Sequence, residues 1–393
     1  MKLLFLLFLL QDPSSWVEKL ASGSDSVRWE AVENLSHLGA EGQEVIGACP
    51  DEWWRTIALA EWTSRRMAGK NYPEPLRLKL DFSNGEAARI AVQLAEKAGI
   101  DLQRRTFVAG EVSLDLKEGT WFELLGELGR KAELDIVEST GGEYRIVPGN
   151  SGFSFSSLSR NYEIRLLSLI RSTQATFDAP PRAQTSLKLA IRSNPGSPIL
   201  EVKEGRLIKG TLNSGQELRM KKLVQTSRGS YGRYRDLSSN SFEIAVEPFD
   251  PAEKKISSLR GSVQIVLPAK VVSFKIRPRF DGKKTRVEKG GVTVVVKKIS
   301  HRNRRVELAL SIQSDLSGTV FPKEDRIRVV DEVGLPYRSW RRSSKSVGEL
   351  EMEYQISYQN TSNLGDPRAI ELSVVTETYE RPVYFSFQEV DLE

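Results

Sequence analysis

Two histidines and one cysteine are the whole supply of imidazole and thiol in this 393-residue chain. His37 and His301 lie far apart, so a base–nucleophile pair or a two-histidine metal site would have to be assembled by long-range folding. His37 falls in a helix-like stretch. His301 falls in Ser300-His301-Arg302-Asn303-Arg304-Arg305, which reads as a charged hairpin loop. Cys49 follows Ile46-Gly47-Ala48, a superficial likeness to a lipoprotein cleavage box. Such a box must directly follow an apolar leader, and here a long polar stretch intervenes, so Cys49 reads as a buried free thiol. A single cysteine excludes a disulfide framework and any multi-cysteine metal site. Paired carboxylates such as Asp331-Glu332 sit in loop-like sequence with nothing to mark a cleft around them. There is no phosphate loop and no Gly-x-Gly-x-x-Gly after a strand. The expectation is a non-enzyme with no catalytic residue, no cofactor and no bound metal.

Binding chemistry has better candidates. Lys221 and Lys222 lead into Arg228, Tyr231, Arg233, Tyr234 and Arg235, where Arg and Tyr alternate along a Gly-containing segment. Guanidinium groups beside flat phenol rings suit an anionic polymer, a sugar or a base. The plainer reading is a long solvated hairpin loop. A second cluster, Arg338 with Trp340, Arg341, Arg342 and Lys345, reads the same way. Charge is unevenly distributed over a modest net +5. Residues 1–150 hold 17 basic and 24 acidic residues, a net −7; residues 151–277 hold 21 and 10, a net +11; residues 278–393 hold 19 and 18, a net +1. An anionic partner would therefore meet the middle of the chain first. The same asymmetry also suits a surface that is simply solvated.

The elements that would position these residues can be read from periodicity. Met1-Lys2 is followed by eight large apolar residues, Leu3 to Leu10, the layout of a signal-peptide core. The run is too short to span a bilayer and has no polar face to suit a buried amphipathic start. Gln11-Asp12-Pro13 after it contains no small-x-small cleavage pattern. Residues 1–12 are thus read as a signal-peptide-like segment and the chain as exported.

Residues 13–70 carry no β signature. Asp25, Arg28, Ala31 and Leu35 recur, 27 positions on, as Glu52, Arg55, Ala58 and Trp62. An acid opens each helix, favourably for its dipole. An Arg three residues later is within reach of the acid, and the apolar pair continues one buried face. Gly39 is placed to end the first helix. This pair resembles HEAT-type helical repeats. Such arrays need about three units, so the pair should dock on a neighbour. Five of the seven tryptophans, at 16, 29, 53, 54 and 62, lie here and read as core and docking surface rather than a ligand face.

Residues 75–148 alternate strand and helix. Leu76–Phe82 has a period of two; Ala87, Ala91, Leu94 and Ala98 have helical spacing after Asn84 as cap; Val112–Leu116 alternates again. Thr120 caps a helix bearing Phe122, Leu125, Leu128 and Ala132. Leu134–Val137 and Tyr144–Val147 form a hairpin across Gly141-Gly142. The opening strand, the helix end Leu94-Ala95-Glu96-Lys97-Ala98-Gly99-Ile100, the run Gly110-Glu111-Val112-Ser113-Leu114-Asp115-Leu116 and the helix start Trp121-Phe122-Glu123-Leu124-Leu125 resemble the short N-terminal domain of secretins and TonB-dependent receptors. The resemblance implies a βαββαββ module that is periplasmic, binds proteins and performs no catalysis. The chain departs from those families downstream, where no series of barrel strands with a lipid-facing apolar side follows.

Gly149 to Ser159 is uncharged and rich in Gly and Ser, and reads as a linker over 149–159. Strands then recur: Tyr162–Ile170, Ser186–Ile191, Arg206–Thr211, Phe242–Val246, Val263–Leu267 and Val271–Ile276, with Pro268 separating the last two. A second set comprises Val292–Lys297, Arg305–Ile312, Arg326–Val330, Leu350–Ser357, Ala369–Val375 and Val383–Phe387. Their number implies two immunoglobulin-like β-sandwiches, 160–277 and 278–393. The expected architecture is a multidomain α+β chain. Its order of parts is similar to envelope proteins of planctomycete-like bacteria, and implies a periplasmic interaction or assembly module with other envelope proteins as partners. The second reading is an envelope protein that binds an anionic glycan or nucleic acid through its basic β region.

Overall fold

The computed structural model describes residues 13–21, 24–69, 72–100, 102–103, 110–138, 144–148, 156–159, 161–176, 179–195, 199–221, 240–302, 304–322, 324–359 and 364–392. The signal-like segment 1–12 and the Gly141-Gly142 turn lie outside them. The fold is mixed α+β, with several small sheets. It divides into two compact units: Met1–Glu138, Tyr144–Leu267 and Glu380–Glu393 form one, and the other is built on Pro268–Tyr379. Among the described residues no helix is long and apolar enough to cross a membrane.

In the first unit, residues 13–68 form four helices: α1 (Pro13–Ala21), α2 (Asp25–Ser36), α3 (Gly42–Gly47) and α4 (Glu52–Ala68). Their caps are the residues before the expected acids. Ser24 accepts from Val27 N at 3.4 Å, and Asp51 accepts from Trp54 N at 3.1 Å. A short side-chain oxygen at the N-cap satisfies an otherwise orphaned N–H. Helix α2 ends at Ser36 with His37 as its C-cap, short of Gly39. Arg55 donates to the Cys49 carbonyl at 3.1 Å. Leu20, Ala31, Leu35, Ile46, Ile57 and Ala58 make the core of the four helices, with Trp16 and Trp54 buried beside them. Trp53 leaves this core to meet Tyr384 edge-on at 5.6 Å. The helices dock there on a C-terminal strand.

The next stretch contains β1 (Arg77–Lys79), β2 (Asn84–Glu86), α5 (Ala87–Lys97), β3 (Leu102–Gln103), β4 (Glu111–Ser113), β5 (Glu118–Thr120), α6 (Trp121–Ala132), β6 (Leu134–Glu138) and β7 (Tyr144–Pro148). Asn84 does not cap α5. It starts a short strand, and its side chain accepts from Ser113 Oγ at 2.6 Å. Helix α6 opens with a reciprocal cap, Glu123 Oε2 accepting from Thr120 N at 2.7 Å and Thr120 Oγ1 from Glu123 N at 3.4 Å. Adding 34 to each residue number carries β1 onto β4, β2 onto β5 and α5 onto α6. The pairings obey the same operation: β1 pairs β5 and β4 pairs β2. So do the polar contacts. Gln93 of α5 accepts from Asp81 N, and Glu127 of α6 accepts from Asp115 N. Lys97 pairs with Asp81 at 3.0 Å and Lys131 with Asp115 at 2.7 Å. Two copies of one strand–helix unit thus face each other across a shared core of Ile90, Ala91, Leu94, Leu124, Leu125 and Leu128. Each of these leucines contributes about 1.5–3 kcal/mol by leaving water.

The linker reading of 149–159 is corrected at its end, because Ser156–Ser159 is strand β8, paired with β9 (Tyr162–Thr176). β9 in turn pairs β10 (Ala179–Ser193), and β10 pairs β12 (Asn240–Val246). In the same unit β11 (Glu201–Leu212) pairs residues 256–266 of β13 (Lys255–Ile276). A Cβ at Gly205 would lie 2.6 Å from the Phe242 ring, so β11 and β12 approach as closely as they do only because glycine is there. Pro268 was expected to separate two strands, yet β13 is continuous. The proline lies just past the ladder with β11, which ends at Val266, so that ladder loses no hydrogen bond to it. Likewise residues 369–375 and 383–387 belong to one strand, β20 (Ala369–Asp391), whose last part lies in the first unit instead of closing the second. The chain accordingly divides at Pro268 and Glu380, not near 277.

The second unit holds a five-stranded antiparallel sheet in the order β14 (Thr285–Lys289), β15 (Val292–Arg302), β16 (Arg305–Ser314), β19 (Glu351–Gln359) and β18 (Arg338–Gly348). β17 (Arg328–Val330) pairs the start of β20. Alternate residues of β15, β16 and β19 share one core with Val272, Phe274 and Ile276 of β13 and with Ile370, Leu372 and Val374 of β20. Two β layers therefore enclose a single apolar interior.

Candidate functional site: a basic edge strand

Sequence periodicity missed β18. The segment Arg338–Gly348 is read above as a loop because Arg-Ser-Trp-Arg-Arg-Ser-Ser-Lys-Ser-Val-Gly contains no apolar alternation. In the structure it is the outermost strand of the five, and ten of its eleven residues are exposed. Its strand geometry comes from its neighbour. β19 presents Tyr354, Ile356 and Tyr358 to the core, and β18 hydrogen-bonds alongside in the register Arg338↔Gln359 to Gly348↔Glu351. Bulges interrupt it between Ser339 and Arg341 and between Ser346 and Gly348.

The register assigns the side chains to faces. Arg341, Ser343 and Lys345 lie opposite Ser357, Gln355 and Glu353 on the solvent face of the sheet. Arg342 and Ser344 lie opposite Ile356 and Tyr354 on the other. The strand holds four cations and no acid. Among the described residues none of the four forms an ion pair within 4 Å: Glu353, opposite Lys345 and within reach of its charge, is hydrogen-bonded by Lys297, and Glu324 accepts from Ser344 Oγ at 2.5 Å. The Lys297 hydrogen bond and charge hold the Glu353 carboxyl below its usual range. Trp340 is 52% exposed, with the Arg305 guanidinium 5.3 Å from its ring. The β15–β16 hairpin adds Arg302 and Arg304 near the same end.

Of the first candidate set, Lys221 is exposed, with its backbone N–H on the Ala245 carbonyl at 3.0 Å. Lys222, Arg228, Tyr231, Arg233, Tyr234 and Arg235 lie outside the described residues.

His301 sits in β15, not in a loop, with Nδ1 3.5 Å from Asp366 Oδ1 and its ring edge-on to Tyr337. It borders a cleft of about 340 Å3 with Phe280 and Arg302. Ser300 precedes it in the same strand, opposite Glu307 while His301 is opposite Val306. Consecutive strand residues point to opposite faces, so this pair cannot act as nucleophile and base. Asp331 is a turn device: it is buried and accepts from Val333 N, Leu335 N and Gly365 N. Cys49 is buried, and desolvation pushes its thiol upward, away from the reactive thiolate.

Glu33, His37 and Glu74 bring one ligand atom each within 4.8 Å of one another. Glu33 and His37 stand at i,i+4 spacing at the end of α2, whereas Glu74 is brought to them only by the fold. Both carboxylates already hold guanidiniums, Arg77 on Glu33 at 2.8 Å and Arg65 on Glu74 at 2.5 Å. A divalent cation would meet a charge-compensated cluster.

Two buried ionic groups in the first unit complete the polar inventory. Arg381 of β20 donates to Glu61 of α4, whose other oxygen accepts from Tyr72 OH, and the guanidinium lies 5.3 Å from the Tyr162 ring. Asp135 of β6 accepts from Arg165 at 3.0 Å and Arg192 at 2.9 Å, and Glu163 pairs with the same two arginines at 3.0 and 3.2 Å. Burial would lower Arg165, but Glu163 and Asp135 outweigh it and hold its pKa above the ordinary value. These arginines come from the β region and the acids Glu61 and Asp135 from the acidic front. Part of the charge asymmetry is therefore used internally, in docking.

No family model matches the chain, and no curated protein matches it. A crystal structure described as the conserved domain protein from Bacillus anthracis aligns with 61% of this chain and 90% of its own at 10% identity and a TM-score of 0.18, too slight a likeness to carry an argument about fold or function.

Proposed function

We propose that the chain is a non-enzymatic, exported protein of the cell envelope that works as an interaction or assembly module. In this reading the four helices are a HEAT-like stub, residues 75–148 a secretin-type short domain, and the β regions immunoglobulin-like sandwiches. The observation that carries it is the open edge of β18, with four cations that form no close ion pair among the described residues and an exposed tryptophan. The buried ionic residues Glu61, Asp135, Arg165, Arg192 and Arg381, by contrast, are taken up in structural pairs. Export rests on the apolar run 3–10 and on the secretin-type resemblance.

The test is fractionation of cells expressing the tagged chain, combined with a photo-crosslinking residue at Ser343 or, as control, at Ser214 on the first unit. An envelope location with one protein captured from position 343 and not from 214 supports the reading. A cytosolic location, or no position-dependent adduct, overturns it. The second reading, an anionic polymer as ligand, draws on the Arg305–Trp340 stack beside Arg302, Arg304 and Arg338. It requires binding of heparin or an oligonucleotide that falls steeply with salt.

A further inference from the structure

We infer that β18 receives an acidic, extended segment of a partner protein as an additional strand of the five-stranded sheet. This deepens the interaction-module reading by naming the surface and the chemistry of what it takes.

The argument starts from backbone groups. β18 has a paired strand on one side only, β19, so among the described residues the N–H and C=O groups of its other side form an open edge, regular over 341–346 between the two bulges. Proteins commonly protect such edges with charge and bulges, and β18 has both. Protection alone does not call for Trp340 and Val347, each more than half exposed on the same strand. Nor does it call for cations without acids, since charges of both signs protect equally well.

The distribution of the cations selects the kind of partner. Arg341 and Lys345 lie on one face of the sheet and Arg342 on the other. A rigid polyanion laid on either face would reach only part of the set. A strand added at the edge has side chains that alternate between both faces and sit about 5 Å from their cross-strand neighbours. It meets all of the cations at once. Acids at alternate positions of the added segment would face Arg341 and Lys345 while the hydroxyls between them would accept from Arg342 on the other face, with Trp340 covering its apolar atoms. A second copy of β18 is excluded as occupant by like-charge repulsion.

The experiment uses the full chain and two synthetic eleven-residue peptides, one alternating Thr and Glu, the other Thr and Lys. Amide hydrogen exchange across 338–348 should slow by about tenfold or more with the Thr/Glu peptide and remain unchanged with the Thr/Lys peptide. In R341E/K345E the preference should reverse, with circular dichroism unchanged. Unaltered exchange with saturating Thr/Glu peptide overturns the inference. So does equal slowing by both peptides, or slowing by heparin as great as by the Thr/Glu peptide, which would assign the surface to polyanions. Because this binding is measured in vitro, it can fail while the envelope location stands, or hold while that location fails.

Discussion

Arg381 and Glu61, 320 positions apart, form a buried ion pair between the last strand and the longest N-terminal helix. Arg381 is 2% exposed and Glu61 5%. Tyr72 completes the group by donating to Glu61 and accepting from Arg381 at 3.3 Å. The pair clamps the C-terminal strand onto the helices beside the Trp53–Tyr384 contact.

Removing one partner leaves a buried charge uncompensated, which costs about 3–5 kcal/mol, whereas replacing both by apolar residues is often near neutral. Arg381→Met and Glu61→Leu should each lower stability by that order in urea denaturation. The double variant should recover most of the loss. Additive losses in the double variant would show that the two residues do not act as a pair.

Alkaline stability has a specific origin. Burial pushes Tyr72, Tyr354 and Tyr358 well above the ordinary tyrosine pKa of 10.0. A raised folded-state pKa means the unfolded chain releases its protons first, so the stabilisation is complete below pH 10 and is lost as pH rises beyond it. Tyrosinate absorbance from these three should appear only with unfolding, above pH 10. Tyr354→Phe and Tyr358→Phe should reduce the alkaline loss while sacrificing the hydrogen bonds to Pro322 O and Ile327 O.

The 34-residue repeat predicts equivalent roles for Gln93 and Glu127. Each binds a strand-end N–H from a buried position. Gln93→Ala and Glu127→Ala should each cost about 1–3 kcal/mol through the N–H left unsatisfied. Glu127→Ala should be the more severe, because its second partner is another N–H, Leu116 N at 3.0 Å, whereas Gln93 donates to the Phe82 carbonyl at 3.1 Å, and an under-satisfied carbonyl is tolerated better than an orphaned N–H. Thermal unfolding of the two variants ranks them directly.

The Glu33, His37 and Glu74 cluster should hold zinc weakly. Partial burial, then the charge of Arg65, keep the His37 imidazole below its ordinary pKa and hence neutral, as a ligand must be. Arg65 and Arg77 nevertheless occupy the carboxylates. Dialysis against zinc followed by elemental analysis should leave well under one equivalent on the untagged protein. Stoichiometric zinc, lost in His37→Ala, would contradict this.

What the sequence determined by itself is the part governed by local patterning. Helical spacing placed Ala91, Leu94, Leu125 and Leu128 on buried faces, and Thr120 was legible as a cap because its partner Glu123 is three residues away. The 34-residue repeat was also present in the sequence, in Leu80-Asp81 and Leu114-Asp115 and in the glycines 85 and 119, although composition gave no prompt to look for it. Tertiary structure alone decided three things. Pro268 reads as a break, but β13 runs through it, and residues 369–375 and 383–387 read as separate strands, but β20 joins them, because strand continuity is set by neighbouring strands and not by local spacing. The partners of Glu61 and Asp135 come from segments that no spacing rule connects to them. β18 was invisible because periodicity detects a strand by its buried side, and an edge strand exposed on both faces has none. Its conformation is imposed by hydrogen bonds to β19, which only the folded chain supplies.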